Sequence, residues 1–323
     1  MEARDFVSLR DLSPEEMEYL LFLGRDLKAH PSAYRQALQG RTLALLFEKP
    51  SLRTRVSFDV GIHQLGGFCL YLSPAEINLG KRESIHDVAK NLERMVQAIV
   101  MRTFAHEAVE EMAACCEIPV INGLTDFSHP CQAMADYLTI WEVKGRINRV
   151  KLAFVGDGNN VAHSLLFGAA QLGAEISIAT PAGYEPRPEA VRWARERAGQ
   201  TRGRVTITHD PAEAVTGADV VYTDVWTSMG QEAEARERRE VFRPYQVNSE
   251  LFARAKPDAC FMHCLPAHRD EEVTAEVMDS NRSVVFQQAE NRLHVQKAIL
   301  IQLMEQAPLA TMLPAEVPEL ALA

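Results

Sequence analysis

The chain has 323 residues, 34 basic and 44 acidic, for a formal charge of −10, with 47% hydrophobic and 24% charged residues. That length suits about two domains with real cores, and the composition is ordinary for a globular protein. A net acidic chain without a Lys/Arg block excludes nucleic-acid or anionic-membrane partners, whose phosphates need a basic stripe. No apolar run approaches the ~20 residues of a membrane span. The opening MEARDFVSLRDLSPEE is too charged for a signal or transit peptide, so the expectation is a cytoplasmic protein. Of the six cysteines, Cys115 and Cys116 are adjacent and Cys260 and Cys264 are four apart. There is no disulfide framework and no CxxC pair, and most read as small buried hydrophobes.

In chain order, Ser13-Pro14-Glu15-Glu16 predicts a helix start, with a Ser cap, Pro in the first turn and acids facing the helix dipole. Strands are predicted at 42–47, 68–72, 98–101 and 119–121, with helices near 52–65, 84–93 and 106–115. The polar stretch Lys144-Gly145-Arg146-Ile147-Asn148 precedes a fresh strand and predicts a boundary between domains at 1–145 and 146–290. Strands follow at 151–155, 175–179, 205–208, 220–222 and 259–262. The charged 228–246 segment reads as a solvated helix, or as a mobile lid over 231–243. A final helix at about 290–305 has room to pack back on the first domain. The fold class is α/β: two doubly wound domains, each with a mainly parallel sheet flanked by helices. The active site is expected in the interdomain cleft, since ligands bind beyond the carboxyl ends of such strands.

Chemistry concentrates at strand ends. Ser51-Leu52-Arg53-Thr54-Arg55 follows a strand and opens a helix, so helix-start N–H groups, hydroxyls and guanidiniums converge as they do around a phosphate. The alternative is a capped surface helix with solvated arginines. Arg102 ends an apolar strand, where it would be costly without an anion. His129-Pro130-Cys131-Gln132 begins a helix, and His263-Cys264-Leu265-Pro266 follows a strand. A lone His at such a place is also a common structural residue, but several polar ends in both halves favour a cleft. Val155-Gly156-Asp157-Gly158-Asn159-Asn160 lacks the third glycine and the ribose-binding acid of a dinucleotide fold, which argues against NAD. Asp224 through Gly230 sets a carboxylate four residues before Ser228, suited to an amino-acid end or, alternatively, to a helix cap.

Together these motifs resemble the aspartate/ornithine carbamoyltransferase family. Ser51–Arg55 is similar to its S-T-R-T-R carbamoyl phosphate motif, and His129-Pro130-Cys131-Gln132 to its H-P-x-Q element. The D-x-x-x-S-M-G run from Asp224, the H-C-L-P from His263 and the E-N-R at Glu290-Asn291-Arg292 resemble the ornithine branch. The likeness runs from about residue 5 to 305 with its motifs in order. It implies transfer of the carbamoyl group of carbamoyl phosphate to the side-chain amine of L-ornithine, giving L-citrulline and phosphate by direct attack. It implies carbamoyl phosphate contacts from Ser51, Leu52, Arg53, Thr54, Arg102, His129, Gln132, Cys264, Leu265 and Arg292. Ornithine contacts would come from Asn160, Asp224, Ser228 and Met229. The first domain would hold carbamoyl phosphate and the second ornithine. A homotrimer, or a multiple of trimers, is also implied, with the 78–82 loop (Asn78, Leu79, Gly80, Lys81, Arg82) reaching a neighbour's site. No metal or cofactor is expected.

Leu52 departs from the motif, which usually has Thr there. If the phosphate uses the backbone N–H, little is lost. If it needs the hydroxyl, roughly 1.5–3 kcal/mol goes with that hydrogen bond. Arg53 and Arg102 would stabilise the leaving charge, while Thr54, Arg102 and a neutral His129 polarise the carbonyl. The attacking amine must be deprotonated although a free alkylamine has a pKa near ~10.4, and Cys264 is the expected proton acceptor. Alternatives are another acceptor (N-acetylornithine, putrescine or aspartate) and a non-catalytic carbamoyl phosphate or ornithine binder. Two more are a Cys264 nucleophile with His263 or His268 as base, and a metal site at His263, Cys264 and His268.

Overall fold

The computed structural model describes residues 4–77, 79–80, 82–228 and 230–305. The chain forms two compact units, Met1–Leu138 with Glu290–Ala323 and Thr139–Ala289. The division falls inside the helix Pro130–Lys144, a few residues before the Lys144–Asn148 turn. The last helix, Val285–Met304, starts earlier than its predicted 290, and its residues from Glu290 onward belong to the first unit. The run Val284-Val285-Phe286 hid that start, because β-branched and aromatic residues read as strand formers.

In the first unit four strands, β1 (Thr42–Phe47), β2 (Phe68–Leu72), β3 (Ala98–Arg102) and β4 (Val120–Leu124), form a sheet in the order β2-β1-β3-β4. Every pairing is parallel. Parallel strands need crossovers, and the helices Leu52–Gln64, Ile85–Leu92 and His106–Cys115 supply them. With helices covering it, a sheet of this kind wants strands that are apolar throughout, and Leu43–Phe47 and Ala98–Arg102 are buried at every position. Ala44, Leu46, Ile99 and Met101 pack against Val88, Val109 and Met112 to make this unit's core. Ser13 starts the first helix with a capping box, its hydroxyl accepting from Glu16 N and Glu16 accepting from Ser13 N.

The second unit contains β5 (Lys151–Val155), β6 (Glu175–Ala179), β7 (Arg204–Thr208), β8 (Val220–Thr223) and β9 (Cys260–His263) in the parallel order β7-β6-β5-β8-β9. Ala153, Val155, Val221 and Phe261 meet Trp226, Phe242 and Phe252 in its core. Strands β3 and β8 each run one residue beyond expectation, to Arg102 and Thr223, so polar groups sit within the strand ends rather than after them.

Both sheets reverse direction partway. After β1 the chain winds out to β2, then returns to place β3 on the other side of β1. After β5 it winds out through β6 and β7, then returns to place β8 beside β5. The reversal leaves a crevice beyond the carboxyl ends of β1 and β3, and another beyond β5 and β8. The two glycines after β5 serve the turn itself. Gly156 has φ +146, and a Cβ on Gly158 would lie 2.2 Å from Pro186 N and 2.6 Å from Tyr184 O. Backbone at 184–186 therefore fills the space where a dinucleotide phosphate would approach a fingerprint glycine. Gly158→Ala is expected to cost about 3 kcal/mol through overpacking against rigid backbone. Urea denaturation checks this, and an unchanged midpoint would contradict it.

Candidate functional site

The first cluster lies at the β1/β3 reversal. Phe47 and Arg102 are register partners at the ends of these strands, and Glu48 N donates to Arg102 O at 2.8 Å. The helix Leu52–Gln64 begins just beyond β1. Ser51 caps it in an extended conformation, its Oγ accepting from Thr54 N at 3.2 Å. Such a start directs backbone N–H groups and the positive end of the helix dipole toward a ligand. The Leu52 side chain is 75% exposed. What residue 52 can offer a phosphate is its backbone N–H.

Arg292, from the last helix, ties the cluster together. Its Nη2 donates to Thr54 Oγ1 and its Nη1 to Gln132 Oε1, each at 2.8 Å. Gln132 Nε2 in turn donates to Asp136 Oδ1 at 2.8 Å. Thr54, Arg102, His129, Gln132 and Arg292 are all buried. His129 is held well below the ordinary imidazole pKa, by burial first and then by the positive charges of Arg292, Arg102 and Arg53. It therefore stands as a neutral hydrogen-bonding group among three guanidiniums. The structure brings together Ser51, Arg53, Thr54, Arg102, His129, Gln132 and Arg292. Asp136 is a member that sequence reasoning missed, although its i+4 spacing from Gln132 could have signalled it.

The second cluster lies at the β5/β8 reversal. Thr223 and His263 are register partners, so Asp224 and Cys264 follow side by side beyond β8 and β9. Cys264 Sγ donates to Asp224 Oδ1 at 2.9 Å, and Val225 N donates to the same oxygen at 2.8 Å. Asn159 Nδ2 donates to Asp224 Oδ2 at 2.8 Å. Asn160, the predicted contact, is the first residue of the helix Asn160–Leu172, and its neighbour Asn159 is the residue that bonds Asp224. Ser228 is half-buried, with its N–H donating to Gln231 Oε1 at 3.0 Å. Met229, and Asn78 and Lys81 of the 78–82 loop, lie outside the described residues.

His263 belongs to a different environment from Cys264. It is fully buried; Nδ1 accepts from Leu265 N at 2.8 Å, which leaves the ring proton on Nε2, 3.2 Å from Glu272 Oε1. Ligand-type atoms of Asp224, His263 and Cys264 lie within 4.8 Å of one another. With both ring nitrogens committed, His263 is neither the base for a Cys264 nucleophile nor a ready metal ligand. Leu265 adopts the left-handed region at φ +58, uncommon for a branched residue and a sign of a constrained turn.

The charged segment after Ser228 is pinned rather than loosely solvated. In the helix Ala235–Phe242, Arg238 is buried and donates through Nη2 to Asp157 Oδ2 and through Nε to Trp226 O at 2.5 Å. Its guanidinium also lies 4.9 Å from the centre of the Tyr184 ring. Burial pushes Asp157 up to about 6, opposed by Arg238 and reinforced by Asp224. This pair has no sequence motif; its partners are separated by 81 positions.

Comparison with known proteins puts a family to this arrangement. A model described as the carbamoyl-P binding domain of aspartate/ornithine carbamoyltransferase matches residues 4–142, and one described as its Asp/Orn binding domain matches residues 148–303. The chain belongs to the aspartate/ornithine carbamoyltransferase family. An ornithine carbamoyltransferase of Bacillus subtilis is 57% identical over 297 residues, 92% of each chain. That of Thermococcus kodakarensis is 54% identical over 306 residues, 94% of this chain and 97% of its own. The solved ornithine carbamoyltransferase of Pyrococcus furiosus is 53% identical, with a TM-score of 0.91 over 94% of this chain and 98% of its own.

Two outcomes are expected for these family residues. The folded pKa of His129 lies below its unfolded value of ~6.5, so its contribution to stability is complete above that pH and is lost as pH falls toward the folded value. Imidazole NMR should find His129 neutral from pH 8 to 6, and a midpoint near 6.5 would contradict this. Arg238→Met should cost about 3–5 kcal/mol, because it strands a buried carboxylate, and Arg238→Met with Asp157→Asn should recover much of that. Denaturation midpoints check both, and equal losses in the single and double variants would contradict the pairing.

Proposed function

We propose that this protein is an ornithine carbamoyltransferase, moving the carbamoyl group of carbamoyl phosphate to the side-chain amine of L-ornithine to give L-citrulline and phosphate. The observation that carries the acceptor assignment is the Cys264–Asp224 contact of 2.9 Å at the carboxyl ends of β9 and β8. The curated relatives, which bear that enzyme's name at 53–57% identity, support it.

The phosphate binds at the start of the helix Leu52–Gln64, through Ser51, Arg53, Thr54 and the backbone of Leu52. Arg53 and Arg102 balance the charge of the departing phosphate. Arg102, Thr54 and neutral His129 donate to the carbonyl oxygen as it becomes an oxyanion, with Gln132 and Arg292 holding the group in place. Asn160, Asp224, Ser228 and Met229 fix the amino-acid end of ornithine, which supplies the positioning part of the rate. Cys264 takes the proton from the attacking amine, with the Asp224 carboxylate ready to accept the thiol's own proton. The neutral amine nitrogen then bonds to the carbonyl carbon, the C–O bond to phosphate breaks, the departing phosphate carries off the second N–H proton, and no covalent enzyme intermediate forms.

A homotrimer or a multiple of trimers belongs to the same proposal. Leu52, Val56 and Val60 recur every four residues on the helix Leu52–Gln64 and are all exposed, as are Phe68 and Leu70 on the neighbouring β2. An apolar stripe of this size supports burial against another copy. No helix among the described residues is long and apolar enough to cross a membrane.

The test is a steady-state citrulline assay comparing L-ornithine with L-aspartate, N-acetylornithine and putrescine. Turnover is expected with ornithine and is expected to fall roughly 10²–10³-fold or more in Arg53→Ala. Cys264→Ala should lower kcat about 10²–10⁴-fold. Preference for another acceptor would overturn the ornithine assignment. No turnover with any acceptor would point to a binding protein. Light scattering should give three times the chain mass or a multiple of it, and a monomer would contradict the assembly.

A further inference from the structure

We infer that Asn159 is a positioning residue for the acceptor site, orienting the Asp224 carboxylate through one arm of its amide while the other arm anchors the turn after β5. This rests on the proposed acceptor site, and nothing in the family motifs assigns Asn159 a part in it.

Both arms are in use. Oδ1 caps the helix Asn160–Leu172, accepting from Val161 N at 2.9 Å and Ala162 N at 3.2 Å. Nδ2 donates to Asp224 Oδ2 at 2.8 Å. Helix capping alone would be met by Ser, Thr or Asp. Unlike these, Asn also presents an amide N–H at the far side, and that N–H faces the carboxylate that holds Cys264. Asp224 is buried and thus receives three donors: Asn159 on Oδ2, and Cys264 and Val225 on Oδ1. Fixing both oxygens sets the plane of the carboxylate, and with it the direction in which the thiol can pass its proton.

The turn carrying Asn159 is itself locked. Asn159 N donates to Asp157 O at 2.7 Å and Gly158 N to Tyr184 O at 2.8 Å, while backbone at 184–186 leaves no room for a Cβ on Gly158. Thr223 Oγ1 donates to Val155 O at 2.6 Å and joins the ends of β8 and β5. The two ends of the Asn159–Asp224 bond are therefore held at fixed separation by the sheet, and an orienting hydrogen bond needs that preorganisation. Among the described residues, the ionisable groups near Asp224 include Cys264, His263 and Asp157, the last paired with Arg238.

Two variants separate orientation from capping. Asn159→Asp keeps a good cap but sets a carboxylate against Asp224, and Asn159→Ser keeps a cap but reaches nothing beyond it. Both should raise KM for ornithine about 10- to 100-fold, the value of a hydrogen bond to a charged group, with KM for carbamoyl phosphate nearly unchanged. Extra negative charge favours protonated neighbours, so Asn159→Asp alone should also move the acid limb of the kcat/KM profile upward by about one pH unit. A readout independent of turnover is the rate of Cys264 alkylation by iodoacetamide against pH, located by peptide mapping. Its midpoint should move upward in Asn159→Asp and stay put in Asn159→Ser. If the wild type fails to use ornithine, the acceptor assignment falls while the alkylation profile still judges Asn159. If KM, the pH profile and the alkylation midpoint all match the wild type and only Tm moves, Asn159 is a helix cap and the inference is wrong.

Discussion

Three guanidiniums around one neutral imidazole is an arrangement a protein cannot hold without cause. Arg53, Arg102 and Arg292 all press on His129, and burial adds to their effect, so the ring stays unprotonated. Positive charge gathered in a buried place costs stability until something negative shares it. The hydrogen bonds of Arg292 to Thr54 and Gln132 hold its guanidinium in place. The topology of the first unit gathers this cluster: the helix Leu52–Gln64 starts just beyond β1, and β3 ends at Arg102 beside it. In the proposed function, the charge of carbamoyl phosphate would answer the arginines and its carbonyl the neutral ring.

The second unit solves the opposite electrostatic problem by the same topology. At the β5/β8 reversal it places a buried carboxylate, Asp224, and satisfies it with an amide, a thiol and a backbone N–H. That surrounding suits a cationic amino acid that must give up one proton. Nearby, Asp157 and Arg238 fasten the charged helix Ala235–Phe242 to the turn below it, so the residues between Asp224 and Ser228 hang between two fixed points. Asp224 and Cys264, the groups to which the proposed function gives these tasks, sit on loops at strand ends, while the strands keep those loops in register.

Much of this was legible in the chain before its structure. Apolar runs such as 42–47 and 151–155 marked strands because both faces of a covered parallel sheet are buried. Polar residues at the ends of such runs, Arg102 and the pair His263-Cys264, marked the carboxyl ends of β3 and β9. What could not be read were contacts made by folding alone. Arg238 looked like one more solvated arginine in a charged run, because its burial depends on Asp157, Trp226 and Tyr184, which are distant in sequence. The family likeness singled out Asn160, whereas the bond of Asn159 to Asp224 depended on where the helix Asn160–Leu172 begins. The glycine at 158 has a packing reason, the backbone at 184–186, that was invisible in the sequence. Leu52 was ambiguous until its side chain proved to face outward.

The central claim is that the arginine cluster exists for the carbamoyl phosphate anion, and direct binding tests it most simply. Isothermal titration calorimetry with carbamoyl phosphate, in the absence of ornithine, should give one site per chain in the wild type. Arg102→Gln and Arg292→Gln should each weaken that affinity roughly 30-fold or more, the usual loss when one partner of a buried charge pair is removed. Equal affinity in all three proteins, or no binding to the wild type, would contradict the account.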